Sequence, residues 1–153
     1  MSDEQMEILL VEDDPRDVRL TMRELQAESL RTRVEVARDG AEALDFLFCQ
    51  GDYSRRSIDH PPKLVLLDLK LPKVDGLQVL REIKSHPSTK AIPVVILTSS
   101  KEERDMVESY KLGVNSYIQK PVDFEKFRET IRTLGLYWVG VNQPPPDKTF
   151  LND

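Results

Sequence analysis

Short bursts of strand-forming residues alternate with amphipathic segments along most of the chain. The bursts are Ile8–Val11, Val34–Ala37, Leu64–Leu67, Val94–Leu97 and Ser116–Gln119. Continuous apolar runs of this kind are typical of strands that are covered on both faces. Between the bursts, apolar residues recur three or four positions apart, which is the spacing of one face of a helix. The pattern therefore predicts a strand followed by a helix, repeated five times.

Five such repeats define an α/β fold. Because crossover connections between parallel strands are right-handed, the repeats favour one parallel, doubly wound sheet with helices on both faces. Ligands of such sheets bind beyond the carboxyl ends of the strands. The residues just after each strand are therefore the first candidates for function.

Most of the predicted helices begin with a residue that suits an N-cap. Asp14 precedes a proline, which is favoured at the first helical position. Asp39, Asp75 and Ser100 are each followed three residues later by Glu or Gln, the pattern of a capping box. Asp123 is the candidate cap of the last helix.

The repeat pattern predicts one domain over residues 1–141, with an extended last helix, and a proline-rich mobile tail over residues 142–153. A long polar connection, residues 49–62, precedes the third strand. We expect Arg55 and Arg56 within it to lie in an ordinary solvated loop.

The last helical stripe runs past Leu134 into an apolar cluster with Tyr137, Trp138 and Val141. In a monomer part of this cluster would be exposed, and exposed aromatic clusters often mark interfaces. We therefore predict a homodimer through these four residues. The alternative is that the cluster folds back over the edge of its own domain.

The charge balance narrows the classes of partner. Among 153 residues, 22 Lys and Arg stand against 27 Asp and Glu, a formal net charge of −5 at pH 7. This acidic balance lacks the basic surface of a DNA- or RNA-binding protein. The longest apolar runs are far shorter than a membrane span, so no membrane association is expected. Because Cys49 is the single cysteine, no intrachain disulfide can form, and we expect a cytoplasmic protein.

Polar residues follow or end four of the predicted strands and should converge at one edge of the sheet. Glu12 and Asp13 follow the first strand, Asp68 follows the third, Thr98 ends the fourth and Lys120 follows the fifth. Clustered carboxylates repel one another, and a hard divalent cation such as Mg²⁺ compensates them. One aspartate can then act as a nucleophile toward phosphorus, while the lysine and the threonine hold phosphoryl oxygens.

Each of these residues has a simpler explanation when it is taken alone. A single carboxylate at a strand end is more often a solvated loop residue than a metal ligand. The joint occurrence of acids at neighbouring strand ends, with Lys120 and Pro121 after another strand, favours the functional interpretation.

Four segments, in order, resemble the receiver domain of two-component response regulators. They are ILLVEDDP (8–15), LVLLDLKLPKVDG (64–76), VVILTSS (94–100) and YIQKP (117–121). The resemblance covers residues 7 to about 136. It implies the flavodoxin-like receiver fold, a (βα)5 arrangement whose parallel strands lie in the order 2-1-3-4-5.

The resemblance also implies a role for each site residue. Asp68 would be phosphorylated and would hold Mg²⁺ together with Asp13, the backbone carbonyl of Lys70 and the nearby Glu12. Lys120 would contact the phosphoryl group, and the bond between Lys120 and the following proline would be cis. Beyond its own phosphotransfer and dephosphorylation, the chain would not be an enzyme.

The same resemblance implies a switch. Thr98 would be the switch hydroxyl that moves toward the phosphoryl group, and Tyr117 would be the aromatic side chain that turns inward in response. Lys70 and Ser100 lie two residues beyond Asp68 and Thr98. Their side chains would flank the path of the attacking water and influence the lifetime of the phosphoryl group.

A narrower resemblance is to the phytochrome-partner response regulators. It is carried by the long segment before LVLLDLKLP, by the block HPSTKAIPVVILTSS and by a terminal YW followed by prolines. Those proteins consist of a receiver alone and take a phosphoryl group from a phytochrome-type sensor histidine kinase. The resemblance implies such a kinase as partner, with signalling through protein contacts or a phosphorelay.

Two other functions stay open. A phosphorylation-independent interaction module is one, although intact Asp68, Thr98 and Lys120 argue against it. An aspartyl-phosphate phosphatase of the haloacid-dehalogenase type is the other. That type needs Asp-x-Asp near its first strand, whereas the candidate nucleophile here reads Asp68-Leu-Lys70 in the middle of the chain.

Overall fold

A computed structural model describes residues 6–27 and 30–145, and within them five strands form one parallel sheet. The strands are β1 (Ile8–Val11), β2 (Val34–Ala37), β3 (Leu64–Leu67), β4 (Val94–Thr98) and β5 (Ser116–Gln119). Their order is β2-β1-β3-β4-β5, so the predicted doubly wound topology is confirmed. The register sets Val11 beside Leu67 and Thr98 beside Gln119, which brings the carboxyl ends of these strands to one edge.

Helices follow the strands in sequence and cover both faces of the sheet. They are α1 (Pro15–Leu25), α2 (Gly40–Leu47), α3 (Gly76–Ser85), α4 (Glu103–Leu112) and α5 (Phe124–Gly135). No helix among the described residues is long and apolar enough to span a membrane.

The sheet separates two apolar clusters, because successive side chains of a strand point to opposite faces. On one face, strand residues such as Leu9 and Val65 pack against α2 and α3. On the other, Ile8 and Leu66 pack against α1 and α5. Full burial of one large aliphatic side chain contributes about 1.5–3 kcal/mol to the free energy of folding. The apolar contacts on both faces therefore stabilise the packing of the helices against the sheet.

Four of the five predicted helix caps are confirmed. The side chains of Asp14, Asp39, Asp75 and Asp123 each accept a hydrogen bond from a backbone N–H of the first helical turn. The prediction for Ser100 is wrong. The cap residue of α4 is Glu102, and the Ser100 hydroxyl instead donates to Asp105 at 2.6 Å. The Ser100 oxygen also accepts from the backbone N–H of Glu102 at 3.3 Å, so this side chain bonds to the residue before the helix and not to the N–H of Glu103.

Helix α4 is the least buried of the helices. Only Ser109 of this helix is buried, and Met106, Val107 and Tyr110 are exposed. The helix ends at Gly113, whose φ of 102° lies in the left-handed region that suits glycine. Few side chains of α4 are therefore anchored in the core.

The connection before β3 is more ordered than the sequence indicated. It contains a short 3₁₀ turn, Gly51–Tyr53. The guanidinium of Arg56 lies 3.7 Å from the centroid of the Phe46 ring and donates to the Phe46 carbonyl. The expectation of a solvated loop is thus wrong for Arg56, because a planar guanidinium can stack on an aromatic face while it serves backbone acceptors.

Helix α5 continues directly into a wider π-helical segment, Leu136–Val141. The backbone N–H of Asn142 donates to the carbonyl of Tyr137, five residues earlier. Residues 142–145 follow without regular structure. The domain boundary at residue 141 and the mobile tail stay predictions, since residues 146–153 lie outside the described residues.

Candidate functional site

The predicted site residues meet at the carboxyl edge of the sheet. Glu12 and Asp13 extend from β1, Asp68 from β3 and Lys120 from β5, while Thr98 is the last residue of β4. Glu12, Asp68 and Thr98 are buried, with 4%, 6% and 0% of their surface exposed, and Asp13 is exposed. These residues form an acidic pocket in which the carboxylates of Glu12 and Asp68 are buried and that of Asp13 is exposed.

Lys120 bridges the acids of this pocket. Its Nζ lies 2.7 Å from Glu12 Oε1, 2.7 Å from Asp17 Oδ2 and 2.9 Å from Asp68 Oδ2. An ammonium has three N–H donors, so all of them have a carboxylate partner. The carboxylates nonetheless outnumber the lysine, and the pocket keeps an excess of negative charge.

Burial and charge shift the pKa values of this group in opposite directions. Burial, aided by the charge of Asp68, raises the pKa of Glu12 to about 7, against the opposing effect of Lys120. Burial by itself would lower the pKa of Lys120. The hydrogen bonds to Asp17 and Glu12 and the charge of Asp68 outweigh that effect and hold this pKa above its ordinary value. Lys120 is therefore a permanent cation in the pocket.

Three carboxylates have the arrangement of a metal site. Glu12, Asp13 and Asp68 each offer an oxygen, and these oxygens lie within 4.8 Å of one another. Oxygen ligands with excess negative charge suit Mg²⁺, which is held by one or two carboxylates and keeps several waters. The residues present therefore fit the cation that the sequence predicts. The backbone carbonyl of Lys70 as a further ligand stays a prediction.

The loop after β3 holds Asp68 in place. Its backbone N–H donates to the carbonyl of Val11 at 3.0 Å, and its Oδ1 accepts from the N–H of Lys70 at 3.3 Å. Gly76 closes the loop, because a Cβ there would lie 2.4 Å from the Asp68 carbonyl oxygen. Glycine at this position lets α3 begin directly against the loop that carries the aspartate.

A chain of hydrogen bonds leads from Thr98 to α4. The Thr98 hydroxyl oxygen accepts from the N–H of Ser100 at 3.2 Å, and the Ser100 hydroxyl donates to Asp105 at 2.6 Å. Tyr117 lies next in space, on β5. Its hydroxyl is buried and has no hydrogen-bond partner among the described residues, and burial raises its pKa. In this state the ring already packs against the core.

The expected cis bond before Pro121 is wrong, since none of the described peptide bonds is cis. The trans form of such a bond is favoured by about 0.5–1 kcal/mol. The hydrogen-bond donors of Lys120 all have partners with the trans bond. Its backbone N–H donates to the Thr98 carbonyl at 2.7 Å, and its ammonium bonds to Glu12, Asp17 and Asp68.

The predicted interface residues divide into two pairs. Leu134 is buried, with 8% of its surface exposed, and Trp138 packs partly against the same internal cluster. Tyr137 and Val141 are exposed, at 47% and 62%. Within one chain, the segment therefore covers its own domain with one side and presents the other to solvent.

Asp17 is the site residue that sequence reasoning missed. It lies in the first turn of α1, four residues after Asp13, and it contacts Lys120 as closely as Glu12 does. Its position in the sequence, shortly after the end of β1, could have predicted its place in the site. A helix that begins immediately after a strand places its first turn at the same edge as the strand end.

The strand order, the acidic pocket at the carboxyl edge and the lysine after the last strand are together those of the flavodoxin-like receiver fold. Residues 8–132 match the family described as response regulator receiver domain. The chain belongs to this family, as its four motifs predicted.

Two curated relatives match nearly end to end. The probable methanogenesis regulatory protein FilR2 of Methanothrix harundinacea is 44% identical over 138 residues, which are 90% of this chain and 86% of the relative. Response regulator Rcp1 of Synechocystis is 41% identical over 132 residues, which are 86% of this chain and 88% of the relative.

Solved structures agree with the fold. The Mn²⁺-bound form of response regulator Rcp1 is 40% identical, with a TM-score of 0.84 over 91% of this chain and 98% of that one. The phosphorylated cyanobacterial phytochrome response regulator RcpA is 39% identical, with a TM-score of 0.86 over 94% and 100%. The bacteriophytochrome response regulator AtBRR is 52% identical, with a TM-score of 0.71 over 92% and 99%. The narrower resemblance is thus matched by structures of phytochrome response regulators.

Proposed function

We propose that this chain is a phosphoacceptor response regulator in which Asp68 takes a phosphoryl group from a sensor histidine kinase. The observation that carries the proposal is the setting of Asp68. Its carboxylate is buried, bonds to Lys120 and lies within 4.8 Å of further carboxylate oxygens. A nucleophile, a fixed cation and a divalent-metal site together are what phosphoryl transfer requires.

In the reaction, a bond forms between a carboxylate oxygen of Asp68 and phosphorus while the bond from phosphorus to the donor histidine nitrogen breaks. The electron pair goes to the leaving imidazole. Glu12, Asp13 and Asp68 would hold Mg²⁺, which supplies charge compensation for the phosphoryl oxygens when it is bound. Lys120, whose ammonium already bonds to Asp68, would contact the phosphoryl group and compensate its charge.

The new phosphoryl group would act as a switch through Thr98. Phosphorylation adds about −1.5 to −2 charge and three acceptor oxygens. The Thr98 hydroxyl, which now accepts from the N–H of Ser100, would turn to donate to one of those oxygens. Ser100 bonds directly to α4, so this turn would alter the helix with the fewest buried residues. Ser100 and Lys70 would also influence phosphoryl lifetime, as predicted.

The kinase partner that the comparisons favour is of the phytochrome type. RcpA and AtBRR are named as phytochrome and bacteriophytochrome response regulators, and this chain matches nearly the whole of both. We infer that the phosphorylated receiver signals through protein contacts or a phosphorelay. The sequence prediction of a cytoplasmic protein that binds neither DNA nor RNA agrees with this role and stays a prediction.

A homodimer through the last helical segment belongs to the same proposal. Tyr137 and Val141 would form the contact, since they are the exposed half of the predicted set, while Leu134 and Trp138 would support it from within. Sedimentation of Tyr137→Ser and Val141→Ser is expected to show a smaller mass than wild type. Val122→Ser is the control, because Val122 is fully exposed outside this segment. A monomeric wild type at high concentration, phosphorylated or not, would remove the dimer from the proposal.

The phosphoacceptor role is tested by incubation with Mg²⁺ and acetyl phosphate, with intact mass as the readout. Wild type is expected to gain one phosphoryl group, and Asp68→Asn is expected to gain none. Asp52→Asn is the matched control, because it removes an exposed acid far from the edge and should be phosphorylated as wild type is. Transfer from an autophosphorylated phytochrome-type kinase then tests the partner.

Two results would support the other functions. No adduct together with no Mg²⁺ binding would leave a phosphorylation-independent interaction module. Rapid turnover of the donor with no lasting adduct would indicate an aspartyl-phosphate phosphatase.

A further inference from the structure

Asp17 is a carboxylate of the pocket that stands apart from the three metal-ligand candidates. Its Oδ2 lies 2.7 Å from Lys120 Nζ, while the Lys120 contact to Asp68 measures 2.9 Å. The set of oxygens within 4.8 Å of one another consists of Glu12, Asp13 and Asp68. Asp17 therefore faces the lysine and not the predicted metal position.

The three partners of Lys120 have different tasks during the proposed reaction. Glu12 and Asp68 are the residues whose oxygens would serve the metal and the phosphoryl group. Asp17 is free of both tasks. It is thus the partner of Lys120 whose carboxylate is not also a candidate metal ligand or the phosphorylated group.

The element that carries Asp17 is suited to hold a flexible side chain. A lysine has a four-carbon stem and loses about 2 kcal/mol of rotamer freedom when it is fixed. Asp17 lies on α1, which starts at Pro15 with Asp14 as cap and buries Val18 against the sheet. A carboxylate on a rigid helix can set the position of the ammonium more narrowly than solvent can.

We propose that Asp17 is a positioning residue for Lys120, which holds the ammonium at the edge from the side of α1 so that it meets the phosphoryl group on Asp68. This inference rests on the proposed function. In this role Asp17 acts only through Lys120. It would touch neither the metal nor the phosphoryl group.

The test compares Asp17→Asn with two other variants. Asp17→Glu keeps the charge and the possible contact. Asp14→Asn removes one negative charge at the start of the same helix, yet asparagine caps a helix as well as aspartate does. Among the described residues, the hydrogen bond of the Asp14 side chain is the one from the N–H of Arg16. Thermal unfolding of each variant confirms that it folds.

The first readout is the initial rate of adduct formation with acetyl phosphate over a titration of Mg²⁺. Asp17→Asn is expected to lower the maximal rate at saturating Mg²⁺ by about tenfold, as misplacement of a catalytic group does. Asp14→Asn should stay within about twofold, and Asp17→Glu should recover most of the rate. Equal maximal rates for Asp17→Asn and Asp14→Asn would overturn the inference. So would a change confined to the half-saturating Mg²⁺ concentration, because that would indicate bulk charge alone.

The second readout needs no phosphoryl transfer and so separates this inference from the proposed function. Lys120 in Mg²⁺-loaded protein is labelled with an amine-reactive reagent, and the labelled peptide is measured by mass. Asp17→Asn is expected to speed the labelling of Lys120 several-fold over wild type and Asp14→Asn. Unchanged labelling would overturn the positioning role. A wild type that forms no adduct would instead remove the proposed function, and the labelling result would still decide on Asp17.

Discussion

Two lysines lie at opposite ends of the sheet in opposite electrostatic surroundings. At the carboxyl edge, Lys120 donates to Glu12, Asp17 and Asp68. At the amino edge, the acceptors of Lys84 of α3 are all neutral oxygens within the described ranges. These are the carbonyls of Lys90 and Ile92, at 3.1 and 2.8 Å, and the side-chain oxygen of Asn115, at 3.2 Å.

The two pKa shifts follow from these surroundings. Carboxylates raise the pKa of Lys120 above its ordinary value in spite of burial. Burial lowers the pKa of Lys84 to about 8, since no carboxylate in the described part of the chain pairs with it. Neutral acceptors satisfy the geometry of an ammonium but do not compensate its charge.

The difference separates a structural end of the sheet from a reactive one. Asn115, which accepts from Lys84, also accepts from the N–H of Val94 at the start of β4. Lys84 thus joins α3 to the beginnings of β4 and β5, and the donors and acceptors at that end are matched. At the other end negative charge is in excess, so the edge gains stability when a cation or a phosphoryl group with its metal arrives.

The largest expected effect is the loss of the cation at the reactive end. Lys120→Met should lower the rate of adduct formation with acetyl phosphate on the order of 100-fold, the usual cost of removing one preorganised electrostatic group. Lys84→Met should change the rate by less than about twofold. Intact mass against time measures both, and equal losses in the two variants would abolish the distinction between the ends.

Addition of Mg²⁺ should stabilise the protein through the reactive end. At about 100 times its dissociation constant, a ligand that binds only the folded state adds about 2.7 kcal/mol to the free energy of unfolding. Urea denaturation with and without Mg²⁺ measures the shift, and Asp13→Asn should lose most of it. NaCl at matched ionic strength is the control. A shift that persists in Asp13→Asn would place the metal elsewhere.

Loss of the lysine at the structural end should lower stability instead of activity. Lys84→Met removes the ammonium that donates to the carbonyl of the buried Ile92, which costs about 1 kcal/mol. Lys90→Met removes an exposed lysine of the neighbouring loop and should cost less than about 0.5 kcal/mol. Urea denaturation of both variants gives the comparison. Equal stability of the two variants would mean that the bonds of Lys84 contribute nothing net.

The smallest expected effect is the pH dependence of that contribution. The pKa of Lys84 falls from 10.5 to about 8 on folding, so between these pH values the unfolded chain binds more protons and stability rises with pH. The free energy of unfolding of wild type, relative to that of Lys84→Met, should therefore rise by about 1 kcal/mol from pH 8 to pH 10. The rise is this small because Lys84 keeps part of its surface in solvent. Urea denaturation of both proteins at the two pH values tests this, and a difference independent of pH would contradict the shift.

The sequence by itself determined the five repeats, the strand order implied by its motifs and the residues at each strand end. Strand and helix periodicity depend on residues only a few positions apart, so both can be recognised in the sequence alone. Because β1, β3, β4 and β5 are parallel, their ends had to meet at one edge. That is why Glu12, Asp13, Asp68 and Lys120 could be grouped before their distances were known.

Only the tertiary structure decided which side chains touch. Lys120 meets Asp17 across 103 positions of sequence, Ser100 serves Asp105 instead of capping a helix, and Leu134 turns inward while Tyr137 stays exposed. The opposite pKa shifts of Lys84 and Lys120 were equally invisible in sequence. A side chain's charge is set by its own chemistry, but its partners, and hence its proton affinity, are set by what packing brings within about 3–4 Å of it.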